Sequence, residues 1–566
     1  MANREVFNSF TGVPTNMVNA AGGAAYKMTD RHALAQYAVT GFFSDTFYVQ
    51  AESQLESTRG LIYKLRDDPA FLAKVAVYAR IHGNMKDMPA FIVASLATID
   101  SKLFRRVFPR VINNGKMLLT FAQIARSGMV GRKLNLSAGA VRKAIQKWFD
   151  DASCESIFNT IGSKPSIVDV MRMARPKPNT KEKAALFTYL RGGTMNPETL
   201  TLQFAASGKV LYTHQFEDLP QIVQQFEKFK STKEGDVPKV DFRRLDALGL
   251  TTEHWQQIAR NALWNMTKKN LNTFLRHGVF ACDDLVSIVA ERIANEELVA
   301  KARVFPYEIM TGWMQLRSNP EIPAPIINAL EQAMEHAVKQ IPSIYGKVVL
   351  AIDVSGSMKS PVTGNRKGST CLARCVDVAG LMAAAFLRKN PDAVIVPFNG
   401  SPRPEFADRL SPEASIMQNA QAISNMGGGA TDCGAAMAYI NKYHADASTV
   451  IFVSDYESWV DVKRYKTTGL LTEWNVFLSK NKTARLVCMD LAPRGDSQVT
   501  EKHNILQVGG FSDACYTVVG DFLAGKHDDP NYWVSIVDST NIDANVEPMN
   551  VLDAALEDSE EDGSGK

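Results

Sequence analysis

The sequence has little of what would place a chain in a membrane, in an oxidising compartment or among the common catalytic folds. No run approaches the ~20 apolar residues of a membrane span, and the opening MANREVFNSFTG has no apolar leader core. The 7 cysteines among 566 residues include no CxxC pair, so reduced thiols are expected rather than a disulfide frame. Cys371 and Cys375, four apart, lack further ligands and read as a core-facing pair. There is no P-loop (GNRKGST at 364–370 has the wrong spacing), no HExxH and no nucleophile elbow, and the 9 histidines are scattered. These absences predict a soluble, cytoplasmic protein with no membrane partner that is not an enzyme.

Charge is present but unevenly spread. The net charge of +3 hides 43 Lys+Arg against 32 Asp+Glu in residues 1–345, and 20 against 28 in 346–566. A polyanion would be drawn to the first part.

The chain divides into three regions, 1–345, 346–545 and 546–566, which together predict a multidomain protein. Residues 1–30 read as an extended arm. From Thr29 to about Gln340 the pattern is helical, with Asp30 as a candidate N-cap. Leu72, Val75, Ala76 and Ala79 share one face, as do Val141, Ala144, Ile145, Trp148 and Phe149. Ser166 and Asp169 are spaced as a capping box. Many short amphipathic helices without a persistent heptad predict an α-solenoid. After a linker near Pro342–Gly346 the signal changes. KVVLAID, AVIVPF, TVIFVSD and ARLVCMD are buried-strand runs alternating with helical stretches such as 375–389. That predicts an α/β doubly wound domain on a parallel sheet. The last region holds six acids between Asp553 and Asp562 and is expected to be disordered.

The chemistry concentrates at strand ends. AIDVSGSM sets Asp353, Ser355 and Ser357 after the first strand, where open α/β folds bind ligands. GGGATDCG supplies Thr431, and VSDYES supplies Asp455 at the end of a later strand. Hydroxyls and carboxylates are hard oxygen donors that suit Mg²⁺, or Mn²⁺. DxSxS, then Thr, then Asp in this order resembles the metal-ion-dependent adhesion motif of von Willebrand A domains. With no general base nearby, the expected chemistry is capture of a partner carboxylate, not hydrolysis.

Cations recur on the predicted helices. The candidates for nucleic acid are Arg142, Lys143, Lys147, Lys164, Arg172, Arg175, Lys177, Lys268, Lys269, Arg276 and His277. YKMTDRHALAQYAVTGFFSDTFYV (26–49), YARIHGNMKDMP (78–89), VRKAIQKWF (141–149), DVMRMARPKP (169–178), MTKKNLNTFLRHGVF (266–280) and ARVFPYEI (302–309) precede the adhesion motif in that order. In this order they resemble the Ro autoantigen, or TROVE, family. The resemblance implies a closed ring of HEAT-like repeats joined to the von Willebrand A domain, in a monomer. It implies small noncoding (Y-like) RNA on a basic outer surface, with single-stranded ends of misfolded RNA in the ring cavity. The roles implied are RNA quality control in a ribonucleoprotein, or tethering of an exoribonuclease. SIFNTIGSKPSIV (156–168) departs from the family. Lys164 is its only cation, and Ile167 stands where vertebrate members carry a histidine. The alternative is a metal-dependent scaffold that binds an acidic protein ligand through the A domain.

Overall fold

Segments with a 3.6-residue apolar period fold as helices, and β-branched runs fold as strands. A computed structural model describes residues 14–40, 50–162, 164–196, 199, 201–206, 209–302, 304, 306–339, 341–362, 373–459, 467–500, 502–510, 513–526, 529 and 531–543. The 364–370 loop, Cys371 and the 546–566 tail lie outside these residues.

The helical part starts at Asp30–Thr40. Its first turn is capped by Thr29, whose Oγ1 accepts from the His32 N–H at 3.2 Å, so Thr29 rather than Asp30 caps this helix. In Pro69–Ile81 the predicted face of Leu72, Val75, Ala76 and Ala79 is buried. In Gly139–Asp151, Val141, Ile145, Trp148 and Phe149 are buried, with Ala144 partly so. The capping box forms as expected. The Asp169 N–H donates to Ser166 Oγ at 3.1 Å, and the Ser166 N–H donates to Asp169 Oδ2 at 2.9 Å.

The expectation of a pattern helical almost throughout from Thr29 to about Gln340 fails at one place. Thr194–Asn196, Thr201–Ala206 and Lys209–Gln215 form a three-stranded antiparallel sheet. Leu202 is buried under it, while Val210, Leu211 and Tyr212 are exposed. Two-residue alternation in TLQF and the β-branched and aromatic content of KVLYT are the physical signals for strand, but each run is too short to stand out against helical neighbours.

The second domain is a five-stranded parallel sheet of β1 (Val348–Asp353), β2 (Val394–Phe398), β3 (Thr449–Ser454), β4 (Arg485–Asp490) and β5 (Ile505–Gly509), in the order β5-β4-β3-β1-β2. Side chains alternate between two cores. Val349, Ala351, Val450 and Phe452 meet Met437, Trp474 and Phe477 on one face. Leu350, Ile352, Ile451 and Val453 join the opposite core, which is continuous with that of the helices.

Both ends of the helical array rest on this domain. Asp30–Thr40 packs against β5 and the Tyr532–Asp538 helix, which also meets Pro69–Ile81. At the other end Pro306–Leu316 packs on Cys375–Lys389, and Ala324–Ala337 packs on Ile416–Ser424. The path of the chain thus closes on itself.

Ion pairs tie the first closure. Asp538 accepts from Lys74 Nζ at 2.8 Å and from Arg31 Nη1 at 3.1 Å. The Lys74 hydrogen bond first, then Arg31, holds the Asp538 carboxyl below its usual 3.8. A depressed acid adds stability above its unfolded value and loses it as pH falls through the folded one. Asp538→Asn should therefore cost about 0.5–1 kcal/mol of stability at pH 7 for this partly exposed pair, read as a lower melting temperature. The wild-type and variant melting curves should converge below pH 4; a gap independent of pH would contradict the assignment.

Among the described residues no helix is long and apolar enough to cross a membrane. Among the described residues Cys154, Cys282, Cys375, Cys433, Cys488 and Cys515 form no disulfide. Burial pushes the Cys375 and Cys488 thiols up to about 12, which leaves them inert.

Candidate metal centre and nucleic-acid interface

Strand order reverses at β1, which lies between β2 and β3. Ligands of open α/β sheets settle at such a switch point, beyond the carboxyl ends of the strands. Asp353 ends β1 there, and Asp455 directly follows β3. Asp353, Ser355, Ser357, Thr431 and Asp455 are all buried, each no more than 4% exposed.

The three loops are bonded to one another. Ser355 Oγ and Ser357 Oγ are 3.2 Å apart. The Ser355 N–H donates to Asp353 Oδ1 at 2.8 Å, leaving Oδ2 to accept from Ser454 Oγ at 2.6 Å. The Gly356 N–H donates to the Gly429 carbonyl at 2.9 Å, and the Gly428 N–H donates to the Val354 carbonyl at 2.7 Å. Gly428 and Gly429 have φ of 143° and 98°, so this turn requires glycine. Ser458 Oγ donates to the Thr431 carbonyl at 3.4 Å, which joins the loop after β3 to the threonine loop.

This donor set holds two carboxylates and three hydroxyls. Burial first, and then the facing Asp455, pushes the Asp353 carboxyl above the usual carboxylate range. Two carboxylates in one dry pocket repel, and a hard cation between them would remove that cost. Among the described residues no group of three or more His, Cys, Asp or Glu could hold a metal. An adhesion-type site depends instead on hydroxyls, so its residues fit Mg²⁺ or Mn²⁺ without such a cluster.

Two features near the site escaped the sequence reading. Ser454, next to Asp455, orients Asp353. Glu457 is buried and takes Arg494 Nη1 at 2.6 Å and the Ala21 N–H at 2.8 Å. The N-terminal arm is therefore fastened to the loop that carries Asp455. Its strand Ala24–Lys27 also pairs with Asp496–Ser497.

Residues 347–523 match the Ro60 vWA domain family. The chain carries a Ro60 vWA domain. Its relatives extend beyond that domain. The chain is 24% identical over 555 residues to "RNA-binding protein RO60" of Deinococcus radiodurans, covering 90% of this chain and 95% of that one. It is 21% identical over 468 residues to "RNA-binding protein RO60" of Caenorhabditis elegans, covering 72% and 69%. The crystal structure of the Deinococcus radiodurans Ro (RSR) protein shares the fold, with TM-score 0.57 at 18% identity, over 88% of this chain and 100% of that one. The Ro resemblance thus extends from the helical repeats through the Ro60 vWA domain.

The predicted basic residues divide into separate groups. Arg142 Nε donates to the Ala174 carbonyl at 3.1 Å, which places it at the end of the Ile167–Ala174 helix. Arg172, Arg175 and Lys177 are exposed around that end, and Arg175 takes a left-handed φ of 51°. Lys143 is exposed on the adjoining helix, where Lys147 pairs with Asp151 at 2.9 Å. Lys164 is exposed. Arg126, absent from the sequence candidates, is also exposed, and its charge acts on Asp169 together with that of Arg172.

The remaining four lie elsewhere. Lys268 is a correction: it is buried and donates to Glu308 Oε2 at 2.6 Å. Lys269 is half-buried and its charge also bears on Glu308, as does that of Lys86 from the opposite end of the array. These cations belong to the ring closure, not to an outer surface. His277 stacks on Trp255 with centroids 4.4 Å apart, and Arg276 is exposed beside it. Lys268→Ala should cost about 3 kcal/mol, the lower end for a broken buried pair, because partly buried Glu308 loses its direct partner but keeps the charges of Lys269 and Lys86. Urea unfolding reads this, with Lys268→Ala together with Glu308→Leu recovering part of the loss.

Proposed function

We propose that this chain is the RNA-binding protein of a cytoplasmic ribonucleoprotein, with the polynucleotide on the basic face around Arg126, Arg142, Lys143, Arg172, Arg175 and Lys177. The observation that carries the reading is the convergence of two helices at Ala174, where four of these cations gather. The names of the two relatives supply the nucleic-acid class. Small noncoding RNA binds on this outer face, and the single-stranded end of a misfolded RNA enters the ring. Recognition of that kind goes by shape and strandedness. The role is RNA quality control, with a nuclease brought in as partner rather than activity in the chain itself.

The Ro60 vWA domain supports a companion reading. Its five oxygen-bearing side chains hold Mg²⁺, or Mn²⁺, and the ion captures a carboxylate of an acidic protein. Gel-shift titration of one hairpin RNA, with and without a single-stranded 3′ end, tests the RNA reading. Tighter, salt-sensitive binding of the tailed RNA is expected. Negligible, salt-insensitive binding of both would end it and leave the metal-dependent scaffold.

A further inference from the structure

The helix Ser101–Val111 carries Lys102, Arg105, Arg106 and Arg110 within SKLFRRVFPRV and no acid. Phe104, Val107, Phe108 and Val111 are buried, so the cations lie on the outward face, with Lys102, Arg105 and Arg106 exposed. The final described residues of the chain arrive here. Arg106 Nε donates to Asp543 Oδ1 at 2.9 Å, and Arg110 Nη1 donates to the Asn541 carbonyl at 2.5 Å. Among the described residues neither Lys102 nor Arg105 forms an ion pair, though the charge of Lys102 acts on Asp100, the N-cap of this helix.

Beyond Asp543 the sequence is strongly acidic: residues 544–566 hold seven Asp and Glu against one Lys. We propose that this segment docks on the Ser101–Val111 helix, its acids against Lys102 and Arg105, in continuity with the Arg106–Asp543 pair. Reach supports the assignment. Glu557 is 14 residues beyond Asp543, a root-mean-square distance of about 20 Å for a flexible chain. A helix of this length is about 16 Å long. Tethering at Asp543 holds the acids near the helix at an effective concentration in the millimolar range. Several cations opposite several acids then give an association that salt weakens. The helix face is thereby covered by the chain's own polyanion and is released to an external one only by exchange. This inference goes beyond the RNA reading and does not need it.

Zero-length carbodiimide coupling of the full chain, followed by peptide mass spectrometry, tests the docking. The expected result is that Asp553–Asp562 couple to Lys102 about fivefold more than to the exposed Lys181 and Lys228, as a tethered acid should. About 0.5 M NaCl should abolish that preference. Equal coupling to all three lysines, or a preference indifferent to salt, would overturn the docking. Inorganic polyphosphate added beforehand should remove the Lys102 links; links that persist would overturn the exchange. No nucleic acid is present, so failure of the RNA reading would not alter these results.

Discussion

Arg172→Glu with Arg175→Glu should weaken binding of single-stranded RNA by at least about 25-fold at 0.1 M salt. The magnitude comes from counterion release. Each phosphate contact with a single strand contributes about 0.7 to the slope of log K against log salt. At 0.1 M that amounts to about fivefold per contact, so two contacts give about 25-fold. Reversal adds repulsion to the loss. The salt slope should fall by about 1.4 in the same titrations. Arg175 sits beyond the last helical turn and Arg172 is exposed on it, so neither substitution disturbs the core. Arg276→Glu, remote in the fold from this group, should change affinity far less. An unchanged slope in the double variant would remove both arginines from the interface.

The second large effect concerns the Ro60 vWA domain. Mg²⁺ at about 100 times its dissociation constant should stabilise the domain by about 2.7 kcal/mol. For a unit of this size that raises the melting temperature by about 5–10 °C. Asp353→Ala should abolish the rise, and chelator should return the wild type to its metal-free value. Asp353 is buried and faces Asp455, so its loss removes a ligand and also relieves a repulsion. The variant also leaves the Ser355 N–H and Ser454 Oγ without their acceptor, which offsets that relief, so the lost Mg²⁺ response rather than the metal-free melting temperature is the readout. An equal Mg²⁺ response in both proteins would exclude these side chains as the site.

The features legible in the sequence were those that local chemistry fixes. β1 to β4 are unbroken apolar runs ending at polar residues, and each run formed a strand. Four of the five site residues stand at strand ends, so their convergence needs only a parallel sheet, while Thr431 comes from the loop between the helices Ile416–Ser424 and Cys433–Tyr443. β5 was missed because ILQVG has Gln507 at its centre, a polar residue that is nonetheless buried.

Partners distant in sequence could not be read. MTKK looks like a solvated run, yet Glu308, forty residues on, buries Lys268. Similarly, HG in LRHGVF reads as a basic helix end until Trp255 stacks on His277. Arg126 carried no motif, and only the packing of three helices brings its charge near Arg172. Glu457 lay two residues beyond a predicted ligand, but its burial depends on Arg494 and on the N-terminal arm.

Ultraviolet crosslinking of a uridine-rich single strand to the full chain, with peptide mapping, puts the separation of roles most directly to the test. Crosslinked peptides should come from the helical part, centred on residues 126–181. Crosslinks confined to residues 346–543, or none at any salt, would contradict it.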